Sequence, residues 1–436
     1  MKVCVFGLWH LGSVTSACLA RLGQPVVGLD FDAKVINDLN QGRAPLHEPG
    51  LNELILENVN AGRLSFTTDA ASALKGADFV WVAFDTPVDE DDCADIGFLE
   101  KNMKKIVKYC KTGSKVIISS QAPVGFTAKM EKLFSRLGPG KKIYFASSPE
   151  NLRLGKAIQV FCEPDRIVVG TRTHADIKEF APLFSLISDK IEWMSTESAE
   201  MTKHAINAFL AASVSFANEI ALLCERVGAD AKEVERGLKT EARIGPKAYL
   251  GAGTAFSGGT LARDIGFLTE LSRKYLLPSH LIKAVKVSND FHRHWVKNKC
   301  AEVLGSLKNK KLAILGLTYK PGTDTLRRSF AVALARSLKA EGALIRGFDP
   351  MVKAAGFGAA KIITLSGSVK EAINDAKVII VATQWPEFTK LSPDVVTAME
   401  GKIIIDPNGF IEPLVKGKKI KYFRVGSCRQ IRSAGQ

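Results

Sequence analysis

Lys2-Val-Cys-Val-Phe6, Gly7-Leu-Trp-His-Leu-Gly12 and, further on, Val26-Val-Gly-Leu-Asp30 are the segments on which the fold turns. A short apolar run leads into a glycine-flanked turn. A helical pattern follows through Ala17, Leu19, Ala20 and Leu22, Gly23 stops it, and a second apolar run ends in an acid. This is the strand–turn–helix–strand–Asp layout of a dinucleotide site. The N-terminus of such a helix offers free N–H groups and a positive dipole end to a pyrophosphate. Asp30 is spaced to accept bonds from a ribose 2′-OH, which favours NAD over NADP. Trp9 departs from the pattern, because glycine usually stands there so that backbone can approach the phosphates. Its ring either turns away, leaving only its N–H at the phosphate, or fills the space.

Working outward, residues 78–84 read as a buried strand ending at Asp85-Thr-Pro87, and residues 115–120 as another ending at Gln121. Residues 141–145 make one more, leading to Ser148-Pro-Glu-Asn-Leu-Arg153. Ends of parallel strands are where cofactor contacts gather. Residues 195–227 carry helical periodicity without proline, with Met201, Ala205, Ala208, Phe209, Ala212, Phe216 and Ile220 forming one apolar side. That helix is expected to be a spine whose surplus apolar area serves a dimer. Lys203 and Asn207, four apart, share one of its faces.

From Lys310 the first pattern recurs: an apolar strand over 311–315, the turn Gly316-Leu-Thr-Tyr-Lys320, a helix, and a second strand ending at Asp349. This unit lacks the glycine triplet, so a dinucleotide is not expected there. Lys320, Arg327 and Arg328 suit phosphates instead. Between the two units lies Gly-Ala-Gly-Thr-Ala-Phe-Ser-Gly-Gly-Thr-Leu-Ala-Arg-Asp, residues 251–264. Its small residues, Gly258 among them, let backbone approach a ligand. Thr260, Arg263 and Asp264 add a hydroxyl, a cation and a carboxylate. The expected fold is therefore α/β, with two Rossmann-like doubly wound parallel-sheet domains joined by a long central helix. The boundaries fall at 1–194, 195–297 and 298–436.

The chain has 436 residues, too many for one core, and a formal net charge of +15. Lys and Arg are spread without long runs or interleaved aromatics, which argues against nucleic acid and for attraction of an anionic small substrate. The eight cysteines, Cys93 and Cys428 included, form no Cys-x-x-Cys pair, which fits thiols in a reducing compartment and no metal site. The chain opens on a strand pattern rather than a signal peptide, and no apolar run approaches the roughly 20 residues of a membrane span. A cytoplasmic protein without a membrane partner is expected.

Taken together the motifs resemble the UDP-glucose/GDP-mannose dehydrogenase family along almost the whole chain. The resemblance rests on Gly7…Gly12…Asp30, Glu48-Pro-Gly-Leu51, Thr86-Pro87, Pro149-Glu150, Pro164-Asp-Arg166, Lys203…Asn207, Asn218-Glu219, Arg243-Ile-Gly245, Ser257-Gly-Gly259…Asp264, Gly316-Leu317…Lys320-Pro…Thr323-Asp324…Arg327, Asp349-Pro350 and Trp385-Pro-Glu-Phe388. It implies an N-terminal NAD domain, a helical dimerisation spine, a C-terminal domain for the nucleotide of a nucleotide sugar, and a homodimer. It also implies NAD contacts from Gly7, Leu11, Gly12, Asp30, Lys34, Thr86, Gln121, Arg263 and Arg327. Substrate contacts would come from Arg243, Tyr249, Gly253 and Lys320, and catalytic roles fall to Thr260, Lys203, Asn207, Asp264 and Glu150.

Members of that family oxidise a sugar alcohol to a carboxylate with two NAD molecules through a cysteine thioester. A thiolate is both a good nucleophile and a good leaving group. This chain has Thr260 at that cysteine position. Leu154 replaces a glutamate, Arg263 a lysine, Gln121 a threonine, and Asn408 an arginine that contacts substrate. Two readings follow: an NAD-dependent nucleotide-sugar oxidoreductase with an altered, non-thioester mechanism, or a catalytically silent binder of nucleotide sugars.

Overall fold

A computed structural model of the chain describes residues 1–87, 89, 94–257, 259–353, 358–393, 395 and 399–427. Gly258, Cys93 and Cys428 lie outside the described residues. The chain divides into two compact units, Met1–Ile206 and Asn207–Gln436.

The first unit is built on an eight-stranded sheet: β1 (Val3–Phe6), β2 (Val26–Leu29), β3 (Leu64–Thr67), β4 (Phe79–Val82), β5 (Lys115–Ile118), β6 (Tyr144–Ser147), β7 (Ile167–Thr171) and β8 (Ile191–Ser195). Their order across the sheet is β3-β2-β1-β4-β5-β6-β7-β8. Every residue of β1 and β4 is buried, as strands covered on both faces require. Alternation splits them between two cores. Val3, Val5, Phe79 and Trp81 pack with Val14, Ala17 and Cys18 of helix α1 (His10–Arg21), while Cys4, Phe6, Val80 and Val82 pack with Leu99, Met103 and Met130 on the other face. Each buried Val, Leu, Phe or Met side chain contributes about 1.5–3 kcal/mol of burial.

The expectation of a parallel sheet holds for β1–β6 and fails at β7, which pairs antiparallel with β6. The helix between them, Ala157–Cys162, has six residues, about 9 Å of rise.

The second unit repeats the order with β9 (Lys311–Leu315), β10 (Leu344–Phe348), β11 (Thr364–Leu365), β12 (Val378–Val381), β13 (Ile403–Ile405) and β14 (Lys421–Phe423), arranged β11-β10-β9-β12-β13-β14 and parallel throughout. Leu312 and Ile314 face one core, Ala313 and Leu315 the other.

The helix Thr196–Val227 runs for 32 residues, about 48 Å. An 18-residue window of it reaches a mean hydropathy of 1.5, long and apolar enough by length and composition to span a bilayer, a test that the core helix of a soluble protein also meets.

Candidate active site

In the first unit, the turn after β1 is shaped by its glycines. Gly7 has φ +93, and a Cβ there would lie 2.6 Å from the Phe84 ring. A Cβ on Gly12 would lie 1.7 Å from the Gly7 carbonyl oxygen, so only glycine lets α1 start this close to the strand. Trp9 is the N-cap of α1, offers no side-chain bond there, and is 47% exposed. Its side chain therefore stands at the surface. Asp30 sits at the end of β2, half-buried, accepting from Leu8 N at 2.8 Å and Asp32 N at 3.1 Å. Leu11 is buried, and Lys34 is exposed in the helix Ala33–Asn40. Thr86 and Gln121, both buried, are brought together: Thr86 Oγ1 donates to the Gln121 carbonyl at 2.6 Å. These residues fit a dinucleotide, with a glycine turn, a helix N-terminus and a ribose-side acid in sequence-adjacent places.

Lys203 is nearby in the same unit. Its Nζ donates to the Glu150 carbonyl at 2.6 Å and lies 3.4 Å from Glu150 Oε1, with only 11% of the lysine side chain exposed. The start of the long helix is pinned one turn away. Glu200 accepts from the N–H groups of Gly125 (2.6 Å) and Thr127 (2.9 Å) and from Thr127 Oγ1 (2.6 Å) at the mouth of the helix Phe126–Leu137. Burial pushes the Glu200 carboxyl up despite those bonds. His204 Nε2 meets the Ala122 carbonyl at 3.1 Å. Lys203, Glu150, Leu11, Thr15 and Trp81 line one pocket of about 100 Å³, so the helix suited to the cofactor and the lysine share a wall.

In the second unit Asn207 Nδ2 donates to Asp264 Oδ2, and both side chains are buried, Asp264 fully. Lys203 and Asn207 are thus one turn apart on a single helix, each tied to a candidate carboxylate-bearing partner. Thr260 opens the helix Thr260–Lys274, which also carries Arg263 and Asp264; its N-cap is Gly259 at φ +109. A Cβ on Gly259 would come within 3.8 Å of Arg328 and 4.0 Å of the Tyr319 hydroxyl.

The loop before it is held by Asn218, which the motif pattern quoted without a role, by Asn289 and His292, which it did not single out, and by Asn408. Asn218 Oδ1 accepts from Gly253 N at 2.9 Å, and His292 Nε2 meets the Gly253 carbonyl at 2.8 Å. Burial holds His292 below its usual value. Asn289 brackets Phe256 with two bonds of 2.9 Å. Asn408 accepts from Thr254 N at 3.0 Å, and a Cβ on Gly253 would lie 2.0 Å from its Oδ1. Asn408 therefore buttresses the loop. Lys320 is half-buried and Arg327 exposed in the loop after β9. Arg243 is exposed and paired with Glu241 at 2.8 Å, and Tyr249 is 60% exposed.

Two first-unit acids were missed. Asp85 accepts from Leu11 N at 3.1 Å, at the N-terminus of α1. Glu48 accepts from Gly155 N and Ala157 N, each at 2.8 Å, and from His10 Nε2 at 3.0 Å. Glu48 stood in the quoted Glu-Pro-Gly motif, while Asp85 carried only the general signal of a strand end.

A parallel sheet with this glycine turn and Asp30 defines a dinucleotide-binding protein of the Rossmann type. Three stretches of the chain match the UDP-glucose/GDP-mannose dehydrogenase family: residues 1–188 its NAD-binding domain, 197–291 its central domain and 313–413 its UDP-binding domain. The chain belongs to that family, and its cofactor is NAD. It is 33% identical to the UDP-glucose 6-dehydrogenase of Rhizobium meliloti, covering 93% of this chain and 94% of that one. It is 33% identical to UDP-glucose 6-dehydrogenase TuaD of Bacillus subtilis, over 93% and 88%. Among solved structures, a UDP-glucose dehydrogenase from Pyrobaculum islandicum aligns with TM-score 0.88 at 30% identity, covering 98% of both chains. A UDP-D-ManNAc dehydrogenase from Pyrococcus horikoshii aligns at 0.86 and 26%, covering 98% of this chain and all of that one.

Proposed function

We propose that the protein oxidises a hydroxyl of a nucleotide sugar by a single hydride transfer to NAD, without a covalent thioester. The observation that carries this reading is the retained Lys203–Glu150 and Asn207–Asp264 pairs together with threonine at residue 260. NAD, when bound, supplies the hydride acceptor. Gly7, Leu11, Gly12, Asp30, Lys34, Thr86, Gln121, Arg263 and Arg327 are assigned to hold it. Arg243, Tyr249, Gly253 and Lys320 are assigned to the nucleotide sugar.

The lysine ammonium and the Asn207 amide stabilise negative charge on the reacting oxygen, and Asp264 takes the proton. Lys203 has three donors and spends two on Glu150, at its carbonyl and at Oε1, which aims the ammonium and leaves one for substrate. Glu150 steadies that lysine through its carboxylate. Thr260 is a poor nucleophile near neutral pH, and its alkoxide is a poor leaving group, so the step that needs sulfur does not occur. The product is then an aldehyde or ketone, not an acid.

The domains are assigned as 1–194, 195–297 and 298–436. Phe209, Phe216 and Leu223, spaced by seven on the long helix and 72%, 49% and 61% exposed, support a homodimer built on that face. The spread of basic residues and the cofactor support a cytoplasmic enzyme that takes no nucleic acid.

The test is a count of NADH formed per sugar consumed across UDP- and GDP-sugars, with product mass. One NADH per sugar is expected. Two NADH with acid formation would overturn the mechanism. Sugar-nucleotide binding with no NADH from any substrate would replace the enzyme with a silent binder. In a Thr260→Cys variant, acid formation is expected if the remaining machinery is intact.

A further inference from the structure

We propose that Asp85 sets the affinity of this protein for its dinucleotide, by standing as an internal anion at the helix end that receives the pyrophosphate. The inference rests on the assignment of NAD to the first unit.

β1 and β4 are neighbours in parallel register, with Phe6 opposite Val82. The chain leaving β4 therefore emerges beside the turn that leaves β1. Three residues beyond β4, Asp85 reaches across and accepts the Leu11 N–H at 3.1 Å. The helix end needs such a partner. The first four N–H groups of a helix have no acceptor within it. The N-cap of α1 is Trp9, which has no side-chain oxygen, and the first turn of α1 contains no acid. A carboxylate borrowed from the next strand fills the gap and complements the positive end of the helix dipole.

The same N–H groups and the same dipole are what a Rossmann site offers to a pyrophosphate. A dinucleotide must therefore take the Leu11 N–H from Asp85 and place its negative phosphates beside a retained negative charge. Asp85 is exposed, so solvent screens that repulsion and the cost is moderate.

Asp85→Asn separates the charge from the cap. The amide keeps a carbonyl oxygen for Leu11 N–H and carries no charge. By calorimetry this variant is expected to bind NAD about tenfold more tightly than the wild type. ADP should tighten by a similar factor, and adenosine, which has no pyrophosphate, should bind unchanged. The thermal midpoint of the ligand-free protein should stay within about 2 °C, because the cap survives. Asp85→Ser, also a neutral acceptor, provides the same comparison should the amide variant fail to fold. NAD binding that is unchanged or weaker in the variants would overturn the proposal and leave the cofactor assignment standing. Equal tightening of adenosine would also overturn it, since the effect would then be a general opening of the groove. No binding of NAD or ADP to the wild type or either variant would overturn the cofactor assignment and the proposal together.

Discussion

The two sheets share one strand order, yet they treat the acid at the end of their second strand in opposite ways. In the first unit Asp30 is half-buried and accepts two backbone bonds, from Leu8 and Asp32, on different oxygens. In the second unit Asp349 is 3% exposed. Its Oδ2 accepts from Leu317 N (2.7 Å), Thr318 N (3.0 Å), Thr318 Oγ1 (3.1 Å) and Trp385 Nε1 (2.9 Å), and its Oδ1 accepts from Met351 N at 2.9 Å. The helices differ too. α1 begins three residues after Gly7, whereas the helix Phe330–Ala340 begins well beyond Gly316 and is capped by its own Ser329. One architecture thus leaves its acid half-buried and its helix end capped by Asp85, a carboxylate from a neighbouring strand. The other spends both on folding its loop.

This contrast breaks most visibly by mutation of the second acid. Asp349→Ala should strand several buried donors at once and cost about 3 kcal/mol or more of stability. A urea unfolding curve with an unchanged midpoint would show that the two acids are equivalent after all. Lys203→Ala comes next. It should lower kcat about 10²–10³-fold, the usual cost of removing one donor to a developing oxyanion. Nucleotide-sugar affinity should change little. A variant that keeps its kcat would remove Lys203 from the chemistry. Asp30→Ala is smaller again: about tenfold weaker NAD binding, worth about 1.4 kcal/mol, with UDP binding and the unfolding midpoint nearly unchanged. Loss of stability matching that of Asp349→Ala would mean that Asp30 is structural.

What could be read in the sequence was what depends on near neighbours. Gly7, Gly12 and Asp30 declare themselves because the turn, the helix and the second strand follow one another directly. The relation of Lys203 to Asn207 needs only the pitch of a helix. Asp85 was opaque, because its partner Leu11 is 74 residues away and is set by which strands are adjacent. Asn408 reads as the loss of an arginine, and only the folded loop shows its oxygen holding Thr254 from 154 residues off. The reversal of β7 is a matter of strand direction in the folded sheet, and an apolar run such as residues 167–171 reads the same whichever way it pairs. The long helix was legible for the same local reason as the glycine turn, since its apolar side needs only helical periodicity without proline.

The smallest predicted effect concerns a tie that the first unit makes around its cofactor helix. Glu48 is 4% exposed and joins His10 of α1 to the backbone at Gly155 and Ala157. Burial alone would raise its carboxyl, but the bonds from His10 and from the Ala157 and Gly155 amides outweigh it and hold the carboxyl below its ordinary value of 4.5. The folded state therefore binds this proton less readily than the unfolded chain. The stability that Glu48 supplies is full above pH 4.5 and is lost as pH falls through the lower, folded value. Glu48→Gln keeps an acceptor and removes the titration. Unfolding midpoints measured from pH 7 down to pH 3 should converge for variant and wild type at the acid end and separate near neutrality, with the wild type the more stable. If the gap were constant across that range, the tie would owe its strength to shape alone, and the charge on Glu48 would have no part in holding α1 to residues 155–157.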